Sequence, residues 1–61
     1  MYYIRCKKSG NIITKPMRRT VATALFEKMR GSERSYELVK SHYDRAGNLH
    51  MVVVDTIEAL A

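Results

Sequence analysis

Residues 35–57 read SYELVKSHYDRAGNLHMVVVDTI, and the triplet Arg45-Ala46-Gly47 in their middle decides how the stretch folds. On either side of the triplet, apolar and polar residues alternate with a period of two, the pattern of a strand with one covered face. Glycine takes positive φ without steric cost, and a three-residue hairpin loop places it at the left-handed position. The expectation is an antiparallel hairpin over 35–57 that pairs Tyr43 with Leu49, His42 with His50 and Val39 with Val53. One face then carries Val39, Tyr43, Leu49, Met51 and Val53. The other carries Tyr36, Leu38, Lys40, His42, His50, Val52 and Val54. A four-residue loop would shift that pairing, and a one-residue slip turns every side chain to the opposite face.

Upstream, YYIRCKKSGNIIT (residues 2–14) reads as a first hairpin, placed at 2–15. A two-residue Ser9-Gly10 turn sets Cys6 against Ile13, so Ile4, Cys6 and Ile13 form a core stripe. Tyr3, Arg5, Lys7, Ile12 and Thr14 fall on the other face. Pro16 has no N–H to donate to a ladder and ends the strand. In MRRTVATALFEKMRG (residues 17–31), Met17, Val21, Leu25 and Met29 recur every fourth residue, flanked by Ala22, Ala24 and Phe26. They predict a helix over about 17–30 with that stripe on the core, and Gly31 is its natural stop. The start lies between Pro16 and Val21: Arg18 overhangs the core from the first turn, or Thr20 caps a later start.

The fold class is α+β: a single β-β-α-β-β domain over 1–61, two antiparallel hairpins forming one sheet with one helix packed on one face. The face away from the helix would show Tyr3, Arg5, Lys7, Ile12, Tyr36, Leu38, Val52 and Val54. A sheet face left to water alternates to polar residues, so Tyr36, Leu38, Val52 and Val54 mark a protein interface. Sixty-one residues bury only about 60% of their unfolded surface, and so small a fold usually needs a disulfide, a metal or self-association. Cys6 is the only cysteine, which excludes an internal disulfide and reads as a buried, reduced filler. No zinc-ligand spacing is present. A homo-oligomer is therefore expected. No apolar run nears the ~20 residues of a membrane span, and Met1 leads straight into Tyr2-Tyr3-Ile4-Arg5 without a signal-like core. A cytoplasmic, non-membrane protein is expected.

The formal charge is +5, and its distribution is uneven. Nine cations stand against Glu27 and Glu33 up to Arg34, whereas Lys40 and Arg45 face four acids from Ser35 onward. Lys15, Arg18 and Arg19 crowd the start of the helix, where the backbone dipole favours anions. That placement suits an anion site for phosphate or carboxylate. Tyr3 beside Arg5 and Lys7 on a sheet face offers a ring for a base and charge for its phosphates.

Chemistry beyond binding has little support. His42 and His50 are cross-strand neighbours without a third ligand, so no metal or cofactor is expected. Ser41, His42 and Asp44 make no triad, because adjacent strand residues point to opposite faces. The exception is a small nuclease using His42 or His50 as general acid or base. In size and element order the chain resembles the small accessory proteins of bacteriophages, several of which inhibit host enzymes that handle nucleic acid. That resemblance rests on architecture, matches no family motif, and implies the cytoplasm of a bacterial host. The expected function is a small, basic, non-enzymatic module binding nucleic acid or a nucleic-acid-processing complex, with no small-molecule substrate. The alternative is a protein-binding inhibitor or adaptor that uses the apolar sheet face.

Overall fold

The computed structural model describes residues 1–59, so the last two residues of the expected 1–61 domain lie outside the description. The fold is a small α+β domain with element order β1 (Tyr2–Cys6), α1 (Arg19–Lys28), β2 (Tyr36–Tyr43) and β3 (Leu49–Ile57). The three strands form one antiparallel sheet in the order β1-β2-β3. The helix lies over β1 and β2.

The second hairpin forms as its turn dictates. Tyr43 pairs with Leu49, His42 with His50 and Val39 with Val53, and Gly47 has φ 86°. Below Val39 the register slips by one residue, so Leu38 pairs with Asp55 and Val54 is the extra residue of a bulge. A bulge of this kind bends its strand and raises the local twist.

The first hairpin is corrected. Residues 11–17 form no strand and run along β1 through the isolated bridges Arg5–Ile12 and Tyr2–Met17 and single hydrogen bonds. The loop spans four residues, with the Gly10 amide donating to the Cys6 carbonyl at 2.8 Å, instead of the two of Ser9-Gly10. Two physical reasons stand out. The Thr14 hydroxyl accepts the Ile4 amide at 3.0 Å, replacing a ladder bond, and Pro16 has no amide to give. Ile13 is consequently exposed, and Cys6 pairs with Tyr36 and is half-buried. Hydrogen bonds from the Ser9 side chain and backbone pull the Cys6 thiol below its ordinary range, and it is not the fully buried filler expected.

The helix is also shorter than expected. Arg18 is its extended N-cap residue, with φ −72° and ψ 155° and no side-chain cap, and Met29 is the C-cap. Gly31 follows at φ 87°. The buried helix residues are Ala22 and Phe26, with Met17 and Met29 packed at the edge. Val21 and Leu25 are exposed, Val21 by 55%. A repeat of four residues drifts about 40° per step around a helix of 3.6 residues per turn. Met17, Val21, Leu25 and Met29 therefore cannot share one narrow face, whereas Ala22, Phe26 and Met29 do.

The core consists of Ile4, Ala22, Phe26, Leu38 and Ile57, with Tyr2 and Tyr36 packed against it. It overturns the face assigned to β2. Ile4 pairs with Leu38, and side chains of paired residues share a face, so Leu38 and Tyr36 point toward the helix. Leu38 is only 4% exposed and offers no interface, and Tyr36 is half-buried. Val52 and Val54 do remain exposed. Val39, set between Tyr3 and Val53 on the far face, is buried outside the helix-covered cluster.

Beyond Lys40, which pairs with Tyr2, the β2–β3 hairpin continues as a two-stranded ribbon. It gives the molecule an extent of 42 × 23 × 16 Å and a radius of gyration of 12.0 Å, against about 10.5 Å for a compact chain of this length. Phe26→Ala should cost about 3–5 kcal/mol, enough to unfold most of so small a domain. Val21→Ala should stay within about 0.5 kcal/mol. Urea melts of both variants read the difference, and the opposite order would restore the four-residue stripe as the core.

Candidate nucleic-acid interface

The helix start is bare of negative charge. No acid lies in the first turn, and no side chain caps its amides. Lys15, Arg18 and Arg19 surround it, all exposed and none in an ion pair with a described residue. The strand register adds a fourth cation. Tyr2 is bridged by Met17 on one side and paired with Lys40 on the other. Lys40, two residues from Leu38 along β2, thus lies on the helix side of the sheet, at the end where the helix begins. Sequence reading left Lys40 in the acidic half. Only the β1–β2 pairing, which joins residues 38 apart in sequence, brings it to this end.

Charge pairing across the molecule is lopsided. Glu27 and Asp55 share Arg30, Glu37 holds Arg5, Glu58 holds Lys7, and Asp44 meets His50. Of the acidic residues only Glu33 lacks a partner among the described residues. Lys8, Lys15, Arg18, Arg19, Lys28, Arg34, Lys40 and Arg45 have none there either. Two acids share the single Arg30 and Asp44 meets only a histidine, so eight positive charges stand against three negative ones that no Lys or Arg balances, and four of the eight cations stand at one end.

The remaining sequence-predicted binding residues sit elsewhere. Arg5 reaches Glu37 at 3.1 Å across the β1–β2 ladder, with both side chains largely buried. Lys7 is held by Glu58, which raises its pKa through a hydrogen bond and then through charge. Tyr3 pairs with Val39, on the face away from the helix. Tyr3, Arg5 and Lys7 thus do not join the cluster of Lys15, Arg18 and Arg19.

His42 and His50 stack as their register requires, with ring centroids 5.3 Å apart and planes inclined by 19°. His50 Nε2 lies 2.8 Å from Asp44 Oδ2. The other Asp44 oxygen accepts the amides of Ala46 and Asn48, each at 2.9 Å. Asp44 is thereby the organiser of the ribbon's tip. No group of three His, Cys, Asp or Glu side chains among the described residues is arranged to hold a metal. No helix there is long and apolar enough to cross a membrane. Comparison of the chain with family models, curated proteins and solved structures finds no match.

The His50 contact, followed by the Asn48 amide, holds the Asp44 carboxyl below its ordinary 3.8. Arg30 holds Glu27 below 4.5 in the same way. A carboxyl depressed in the folded state adds stability that is complete above its unfolded pKa and is lost as pH falls through the folded value. Melting temperature should therefore hold steady down to about pH 4.5 and fall below it. Asp44→Asn should flatten part of that acid limb, as followed by circular dichroism melts. An unchanged limb would show that the tip carboxyl is not coupled to folding.

Proposed function

We propose that this domain is a non-enzymatic module that binds the phosphate backbone of nucleic acid through the cations at the helix start. The reading is carried by the imbalance of charge: eight cations without an acidic partner among the described residues against three acidic charges that no Lys or Arg balances, with Lys15, Arg18, Arg19 and Lys40 grouped at one end. Such a surface attracts a polyanion whatever its base sequence, because neutralising phosphates releases condensed counterions. Backbone contacts position a protein without reading bases. The neighbouring ribbon supports the same reading. It carries Lys40 at its base and Arg45 at its tip, both without an acidic partner among the described residues.

Fluorescence anisotropy with a short labelled duplex, across ~50 to ~200 mM salt, tests the reading. Four phosphate contacts give a slope of log affinity against log salt of about −3.6. Arg18→Glu with Arg19→Glu should weaken binding and make the slope shallower by about 2. The fold should be kept or slightly improved, since acids suit a helix start. Binding that ignores salt, or a double variant that binds as the parent does, overturns the proposal.

A further inference from the structure

The two edges of the sheet are treated differently. The outer edge of β1 is covered. Tyr2 exchanges hydrogen bonds with Met17, the Ile4 carbonyl accepts from Ile13, and Cys6 is bonded to Asn11 and Gly10, all at 2.8–2.9 Å. The outer edge of β3 has no neighbouring strand among the described residues. Its free groups follow from the ladder. Asp44 donates to Asn48 at the hairpin's closing pair, and hydrogen-bonded and non-bonded pairs then alternate down the strands. The amides and carbonyls of Leu49, Met51 and Val53 therefore point outward. The Ser41 amide, which bonds to Met1 on the β1 side, fixes the same alternation independently.

Edge strands of monomers carry lysines, prolines or inward charges that block pairing with another chain. Leu49–Val54 contains none of these, and Leu49, Met51, Val52, Val53 and Val54 are all exposed. The edge does have a stop. The Asp55 carboxylate takes the Thr56 amide at 2.8 Å, and the bulge at Val54 breaks the ladder just before it. What remains is a free, uncharged edge of five residues centred on Met51.

We propose that this edge pairs with the same edge of a second copy, in antiparallel register about a two-fold axis at Met51, to make a continuous six-stranded sheet. Met51 then bonds to Met51 of the second copy, and Leu49 to Val53 on each side. His50 faces Val52, so no like charges meet. The surface agrees with this occupant. A compact monomer of 7.1 kDa exposes about 4,100 Å², while this chain exposes 4622 Å². Two copies together carry an excess of roughly 1,000 Å², the lower end of what a specific interface buries. A weak dimer follows, with a dissociation constant of roughly 0.1 mM.

The test combines sedimentation with amide hydrogen exchange on the whole chain, at ~10 µM and ~1 mM protein. The expected result is a monomer at the lower concentration and a dimer at the higher. The amides of Leu49, Met51 and Val53 gain protection with concentration, whereas those of His50 and Val52, already bonded to β2, stay protected throughout. Met51→Lys sets two cations against each other at the axis. It should raise the dimer dissociation constant about tenfold or more without altering the circular dichroism spectrum. A chain that stays monomeric at the higher concentration overturns the proposal, even where an extended peptide of another protein binds the edge. So does a dimer in which the three outward amides still exchange freely.

Discussion

Leu38 against Ile4, beneath Phe26, is the contact on which the rest of this structure depends. It joins residues 34 apart in sequence, so its closure entropy must be met by burial, and the three side chains are buried almost completely. That one pairing decides which face of β2 looks toward the helix. It sets β1 as the strand next to β2, with the irregular residues 11–17 along its other edge. It also places Tyr2 opposite Lys40, and thereby sets where the ribbon leaves the body of the domain. Ile57, paired with Tyr36, closes the same core from β3. A core of so few side chains tolerates no alternative register, because a one-residue slip would replace Leu38 by Lys40's neighbour Val39 or by Glu37.

Local chemistry was legible and long-range pairing was not. From Val39 to its tip the second hairpin could be read down to its residue pairs, because a glycine at positive φ and a period-two pattern fix loop and register within a few residues, whereas the bulge at Val54 was not foreseen. The same logic failed for residues 2–15. There the turn was less constrained, and Thr14 and Pro16 deny the ladder bonds a second strand needs. The face of β2 was inverted because both of its faces are apolar near Leu38 and Val39, and only the distant partner Ile4 distinguishes them. The helix stripe misled for a geometric reason, since four-residue spacing looks periodic in sequence but winds around the helix surface.

The candidate site divides along the same line. Lys15, Arg18 and Arg19 stand together because they are neighbours in the chain, and a bare helix start needs no tertiary information to recognise. Lys40 was invisible as a member of the group, and Arg5 and Lys7 were invisible as non-members. Their acids, Glu37 and Glu58, lie in a segment that counts as acidic on paper. Halving the chain by charge treated those acids as a separate region, whereas folding uses them to neutralise cations of the first half. What folding leaves uncompensated is the helix start, with single cations scattered elsewhere.

The proposed phosphate contact and the proposed edge pairing respond to salt in opposite senses, and that opposition links them. Two copies each carrying +5 repel one another, and screening beyond the ~8 Å Debye length of physiological salt relieves part of the repulsion. Salt therefore favours the dimer while weakening phosphate contacts through counterion competition. A polyanion does both at once: it neutralises the cations and removes the repulsion between copies. A two-fold axis normal to the sheet keeps both helices on one face, so both helix starts address the same side. A strand of nucleic acid long enough to reach both then engages the second site at high effective concentration. By linkage, whatever the dimer adds to phosphate affinity, the bound backbone returns to dimer stability. The exposed apolar edge of β3 and the uncompensated charge of the helix start, each unfavourable in an isolated chain, are thereby relieved by one event.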